Sequence, residues 1–187
     1  MIIRAAEPSE IDTVVEVLAE AFHDDPVSVW AFPSAERRAV ALPIFYRAIV
    51  RGALAMGGHI DVTGDLSAAI VWTPSGEEGE PDGGAFAGLT GVELGRLGAL
   101  FALMTECAPG GEYHHAQFIG VRESAQRRGI GARLLRYGLA RNGTVPAYLE
   151  ASSAESAKLY RRLGFRDHGA AFAAEGGPPM RPMWRDP

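Results

Sequence analysis

Two residue types are almost missing from this chain of 187 residues: Cys107 is its only cysteine and Lys158 its only lysine. A single cysteine excludes an internal disulfide and any zinc site built on paired cysteines. Long apolar runs are missing too. None approaches the ~20 residues of a membrane span, and the opening MIIRAAEPSEID lacks the apolar core of a signal peptide. Together these absences point to a reducing, cytoplasmic setting with no membrane partner. Nor is there a surplus of positive charge. Eighteen Lys and Arg face 23 Asp and Glu, for a net charge of −5. That balance argues against a nucleic-acid partner and suits a cationic substrate. The Arg bias, with many Ala and Gly, suggests a GC-rich bacterial genome as the source.

What is present is ordinary globular composition, 47% hydrophobic and 22% charged. The length suffices for one domain, 1–187, with a real core. IIRAA (2–6) is a β-prone first strand. In the next stretch Ile11, Val14, Val15, Leu18 and Phe22 recur at helical spacing, with Ser9 and Asp12 placed as a capping box. Pro26 should end that helix near Phe22. Residues 34–54 read as a second helical region, which Pro43 should kink or divide. Residues 59–74 read as a hairpin turning at Gly64-Asp65. SGEEGEPDGG (75–84) has the composition of a mobile acidic loop. Residues 85–106 read as helix despite their glycines. From there the pattern alternates: strand 113–121, helix 127–143, strand 146–152, a helix over 153–165 stopped by Gly164, and a terminal hairpin. The expected fold class is α+β, one domain with a mixed, mostly antiparallel sheet of six to seven strands flanked by helices.

QRRGIG (126–131) joins the central strand to the helix after it. The first four N–H groups of a helix have no intrahelical partner, and the helix dipole adds partial positive charge. Gly129 and Gly131 let a ligand approach the backbone closely. Arg127 and Arg128 add charge-assisted contacts. A phosphate or diphosphate is the natural occupant; an exposed basic turn is the plainer alternative. The segment is neither a Walker loop nor a complete dinucleotide fingerprint.

FIGVRESAQRRGIGARLL resembles the acyl-CoA-binding motif of the GCN5-related N-acetyltransferase (GNAT) superfamily, and YLEASSAESAKLYRRLGF resembles its second signature. They stand in the expected order and cover roughly residues 113 to 165. The flanks AFHDDP, AAIVWTP and PAYLEAS, with a tail ending Met-Trp-Arg, more loosely resemble a bacterial subgroup that includes puromycin N-acetyltransferase.

The resemblance implies acetyl-CoA as co-substrate, and a sheet splayed where it binds. The diphosphate would lie on the N–H groups of Arg127, Arg128, Gly129, Ile130, Gly131 and Ala132, with Gln126 leading in. The pantetheine arm would pair with the strand edge at Ile119 and Val121, and an N–H near Val121 would polarise the acetyl carbonyl. Ser153 and Ser156 stand where many relatives contact the cofactor through Asn; here the shorter serine leaves a cap at Ser153 as the alternative. Tyr160 is the candidate general acid for the departing thiolate, the alternative being packing under the cofactor. Glu150 is the candidate base for the amine, the alternative being a structural ion pair. His114 and His115 compete for the base role, though neighbours on a strand face opposite sides. Two adjacent histidines alone are poor evidence for metal, and none is expected.

AFHDDPVSVWAFP (21–33) is the candidate acceptor wall, with Asp24 and Asp25 to attract an amine and Trp30 and Phe32 to pack on its body. A helix stop with core aromatics explains the same residues. The expected reaction is acetyl transfer to a small primary amine. Acetylation of a protein N-terminus or lysine, and a non-catalytic CoA sensor, are the competing readings. The sequence leaves a homodimer open.

Overall fold

The computed structural model describes residues 1–76 and 84–187. Seven strands form one open sheet: β1 (Ile3–Ala5), β2 (His59–Thr63), β3 (Ala68–Pro74), β4 (His114–Val121), β5 (Ala147–Ala151), β6 (Arg166–Asp167) and β7 (Arg181–Arg185). Their order is β1-β2-β3-β4-β5-β7-β6. All neighbours are antiparallel except β4 and β5, which run parallel and pair only at His114↔Ala147 and His115↔Tyr148. Beyond that point β4 continues for six residues without β5 beside it. The sheet is therefore forked in its middle. The terminal hairpin is present, with β7 inserted between β5 and β6.

Among the described residues there are six α-helices: α1 (Ile11–Ala21), α2 (Pro26–Ala31), α3 (Ala35–Ala55), α4 (Gly91–Cys107), α5 (Ile130–Arg141) and α6 (Ala154–Arg162). None is long and apolar enough to cross a membrane. α1 and α3 bury Val14, Leu18, Leu42, Tyr46 and Val50 against one face of the sheet. On the other face α5 and α6 enclose Ile70, Trp72, Leu134, Leu135 and Leu149. α5 lies so close that a Cβ at Gly138 would come within 2.4 Å of the Trp72 Nε1.

Several local expectations are corrected by the structure. α1 is preceded by a 3-10 turn whose cap is Glu7 and Glu10: the Glu7 N–H donates to Glu10 Oε2 at 2.9 Å. Asp12 instead pairs with Arg47 of α3. α3 passes through Pro43 undivided. The missing N–H is outweighed by a buried face on both sides of the proline, Ala41, Leu42, Phe45 and Tyr46. Pro26 starts a further helix, α2, instead of only ending α1. α4 begins at Gly91, later than the composition suggests, because Thr90 and Glu93 form a capping box. Arg37 grips Glu93 through two contacts of 2.6 Å and holds its carboxyl down at about 2. Arg96 donates to the Trp30 carbonyl at 3.0 Å. These contacts fix α4 over α2 and α3. The acidic loop expected at 75–84 falls mostly at 77–83, outside the described residues.

One buried cluster makes stability depend on pH. His59 stacks on Trp72, and burial, then the charges of Arg141 and His114, lower its pKa from 6.5 to about 4. The unfolded chain binds the proton that folded His59 refuses. Its contribution is thus fully present above pH 6.5 and is lost as pH falls towards 4. Asp61, pushed up by burial against the pull of Arg141, shifts in the opposite sense. The expected result is therefore a difference: His59→Phe, which keeps the stack, should lose markedly less stability than wild type between pH 7 and 4 in urea unfolding. Parallel curves would show that His59 is not the acid-sensitive group.

Candidate active site

The fork is lined from both sides by what precedes and follows it. After β4 a short connection leads to α5, and Gln126 Nε2 donates back to the Val121 carbonyl at 3.1 Å. Arg127 has φ of 62° and Gly129 of 73°. A left-handed arginine is uncommon. Alternating sign of φ is the backbone pattern that turns successive N–H groups into an anion-binding concavity. Among the described residues, none of the N–H groups of 127–132 donates a backbone hydrogen bond; the first that does is Arg133, to the Gly129 carbonyl at 3.2 Å. Arg127 and Arg128 are exposed and make no ion pair among the described residues. Gly131 faces Val121, where a Cβ would sit 3.6 Å from Val121 Cγ2. Unpaired donors, positive charge and open space thus coincide at one turn. Ile119 and Val121 lie on the stretch of β4 that β5 has left.

The other prong of the fork is β5. Leu149 and Ala151 point into the α5–α6 core, so Tyr148 and Glu150 point to the α1–α3 face. There His115 Nε2 meets Glu150 Oε2 at 2.7 Å, and its ring lies 5.3 Å from that of Tyr148. Glu150 Oε1 is buried and has no partner among the described residues. The two histidines separate as their alternation requires. His114 faces the opposite side, its ring 6.2 Å from His59, and burial lowers its pKa.

Glu150 and Tyr160 line the same cavity. Tyr160 reaches it from α6, and burial, with a smaller push from the charge of Asp25, raises its pKa above the ordinary tyrosine value. Asp25 lines the cavity as well. It caps α2, accepting from the Val27 N–H at 2.9 Å, and takes the Ser152 hydroxyl at 2.6 Å. One carboxylate so ties α2 to the end of β5. Burial raises the pKa of Asp25 in spite of these hydrogen bonds.

The remaining wall is aromatic and aliphatic. Phe22, Phe32, Phe45, Tyr46, Phe101 and Phe118 all contribute, and Leu97, Leu100 and Met104 of α4 close one side. Of the four candidate acceptor residues, then, Asp25 and Phe32 are in the cavity. Asp24 is not: its exposed carboxylate lies between His23 and Arg38. Trp30 also lies off the lining, packed beside Gly176 and Gly177 of the tail. Ser153 caps α6, accepting from the Ser156 N–H at 3.1 Å, and the Ser156 hydroxyl turns back to the Ser153 carbonyl at 2.9 Å. Both serines are occupied with each other.

Sequence reasoning placed a helix within 85–106 but did not assign it to the site, and it missed Gln117 and Ser152. The α4 contribution had no local signal, since its apolar residues read equally well as core.

Residues 93–167 match the family model of the acetyltransferase (GNAT) domain. No curated protein is significantly similar in sequence. Among solved structures, the chain is similar to histone acetyltransferase HPA2 and related acetyltransferase from Corynebacterium glutamicum. Identity is 26% over 99% of this chain and 95% of that one, with a TM-score of 0.75. It shares its fold with the mosquito arylalkylamine N-acetyltransferase like 5b, at 16% identity, 100% and 99% coverage and a TM-score of 0.66. A third likeness is to the polyamine N-acetyltransferase of Drosophila melanogaster, at 18% identity, 98% and 96% coverage and a TM-score of 0.62. The matched segment runs from α4 through the anion turn and the β4–β5 fork to Tyr160, and the fold is that of acetyltransferases of known structure.

Proposed function

We propose that the protein moves the acetyl group of acetyl-CoA to the primary amine of a small molecule by direct attack, with Glu150 as base and Tyr160 as acid. The observation that carries this reading is that Glu150 and Tyr160 line one cavity, where Glu150 keeps a buried carboxylate oxygen, Oε1, without a hydrogen-bond partner among the described residues. Acetyl-CoA fits the residues present. The donors of 127–132 with Arg127 and Arg128 would hold its diphosphate, and the exposed edge of β4 at Ile119 and Val121 would take its amide-bearing arm. When bound it supplies a thioester, whose C–S bond breaks as the new C–N bond forms.

The chain's own part is proton traffic and positioning. Glu150 takes the proton the amine sheds, directly or through one water. His115 braces the carboxylate from behind and is itself part-exposed, so it can pass a proton to solvent. Tyr160 gives its proton to the leaving sulfur. The α2 and α4 walls favour an enclosed small molecule over a protein segment, which needs an open groove. Fold neighbours named for arylalkylamines and polyamines support the same reading. AFHDDP and PAYLEAS, which carry the subgroup resemblance, contribute Asp25 and Glu150 to the cavity.

The test is free-thiol release from acetyl-CoA over a panel of primary amines and peptide N-termini. At least one small amine should react; reaction of peptides alone would overturn the acceptor assignment. The cofactor half has its own test. Acetyl-CoA at a hundred times Kd should stabilise the fold by ~2.7 kcal/mol, read as a rise in Tm. Gly131→Glu, filling the turn with a negative side chain, should abolish that rise. It is a cleaner probe than Gly129→Glu, which would also strain a φ of 73°. A folded Gly131→Glu variant with the full rise would displace the diphosphate from this turn.

A further inference from the structure

Resting on the reading that Glu150 is the base, we infer that the acceptor is a monoamine on an uncharged aromatic or apolar body, its nitrogen docked between Glu150 and Gln117. Gln117 has no counterpart in the pairing of β3 and β4. Val71 pairs with Phe118 and Trp72 with Ala116, so Gln117 is the extra residue of a β-bulge. Bulges beside active sites re-aim a side chain. Here the side chain lines the cavity, and its Oε1 is buried without a partner among the described residues.

Gln117 and Glu150 therefore line one cavity, and each carries a buried oxygen, Oε1, without a hydrogen-bond partner among the described residues. Both accept hydrogen bonds. Buried acceptors left unmade are costly, and a group rich in N–H donors relieves both at once. A primary amine or its ammonium is such a group. A hydroxyl offers one donor and would leave the other oxygen bare.

The count of charges in the cavity then limits the rest of the molecule. Asp25 is the other carboxylate on the lining. It acts as a structural tie, with one hydrogen bond from the protein on each of its oxygens, from the Val27 N–H on one and the Ser152 hydroxyl on the other. Away from Gln117 and Glu150 the wall is Phe32, Phe45, Phe101, Leu97, Leu100 and Met104. A second ammonium or a guanidinium carried into that wall would be desolvated with nothing to pair it. A ring would instead meet faces and edges of other rings. The fold class accommodates arylalkylamines and polyamines alike, and in this chain the lining chooses the former.

The experiment compares kcat/KM for 2-phenylethylamine, hexylamine and 1,6-diaminohexane, with acetyl-CoA saturating. The diamine should fall below hexylamine by on the order of a hundredfold, and phenylethylamine should be the best of the three. Gln117→Met, near-isosteric and without acceptor oxygen, should raise KM for phenylethylamine about tenfold with a smaller change in kcat. The rise in Tm with acetyl-CoA should be unchanged, which shows that the variant is folded. A diamine equal to or better than hexylamine would overturn the monoamine inference and leave the acetyl-transfer reading standing. An unchanged KM in Gln117→Met would overturn the docking role. Acetyl-CoA binding with no turnover of any small amine would overturn the small-molecule reading itself.

Discussion

Replacing Tyr160 by Phe is expected to lower kcat by ~10² to 10⁴, the usual worth of general acid catalysis, with little change in acetyl-CoA affinity. The substitution removes one oxygen and keeps the ring, whose packing against Phe165 at 6.1 Å is preserved. Stability and cofactor binding should therefore survive, and the loss should appear only where the hydroxyl acts, as negative charge develops on the leaving sulfur. The environment suits the task. Burial in the cavity wall, then the nearby Asp25 carboxylate, both raise the pKa of Tyr160 above that of an ordinary tyrosine. The sign follows directly: the phenol stays protonated, and able to donate, throughout the neutral range. Any alkaline fall in rate caused by its ionisation must lie above the ordinary tyrosine range. Single-turnover measurements on a responsive amine isolate the chemical step. If that step runs at the wild-type rate in Tyr160→Phe, the proton comes from elsewhere and Tyr160 is only a wall.

How much of this site could be read before the fold was known depends on how far apart its pieces lie in the chain. The anion turn is local. QRRGIG carries its glycines, its arginines and its place between strand and helix within a few residues, and the structure assembles it from those same residues. Glu150 and Tyr160 sit within one contiguous signature, so their nearness to each other was also legible. The contacts that give them their surroundings are not local. His115 reaches Glu150 across 35 residues, through the last paired rung of β4 and β5. Asp25 reaches Ser152 across 127 residues. Between Asp24 and Asp25 composition offers no choice. Yet Asp25 precedes Pro26, and an Asp followed by Pro is a helix start, cap then first turn. Read that way, the pair would have resolved into one exposed carboxylate and one engaged. Pro43 shows the opposite error. Its local cost was real, but a buried apolar face running past it on both sides decided the helix. The bulge at Gln117 had no sequence signal at all, because neither glycine nor a turn residue marks it.

Glu150→Gln is expected to produce a rate loss that depends on pH. The variant keeps the shape of the side chain and can still meet His115, now through an amide instead of a carboxylate, so the brace seen at 2.7 Å need not collapse. It removes the ability to accept a proton. At low pH nearly all of the acceptor is ammonium, which cannot attack a thioester until it is deprotonated. There the wild-type carboxylate matters most, and the deficit should approach the ~10² to 10⁴ typical of a lost general base. As pH rises towards the pKa of the amine, more of the acceptor arrives already neutral. The variant then needs less help, and the two pH–rate curves should converge. An amine of lower pKa should bring the convergence to lower pH, a displacement that a folding defect cannot mimic. His115→Gln separates the two members of the pair. If His115 only braces the carboxylate, its loss should be modest and nearly flat with pH. If it carries the proton outward, its profile should resemble that of Glu150→Gln. A deficit in Glu150→Gln that stays constant across the whole range, for amines of different pKa, would leave Glu150 as a structural anchor of the fork and move the search for the base to water.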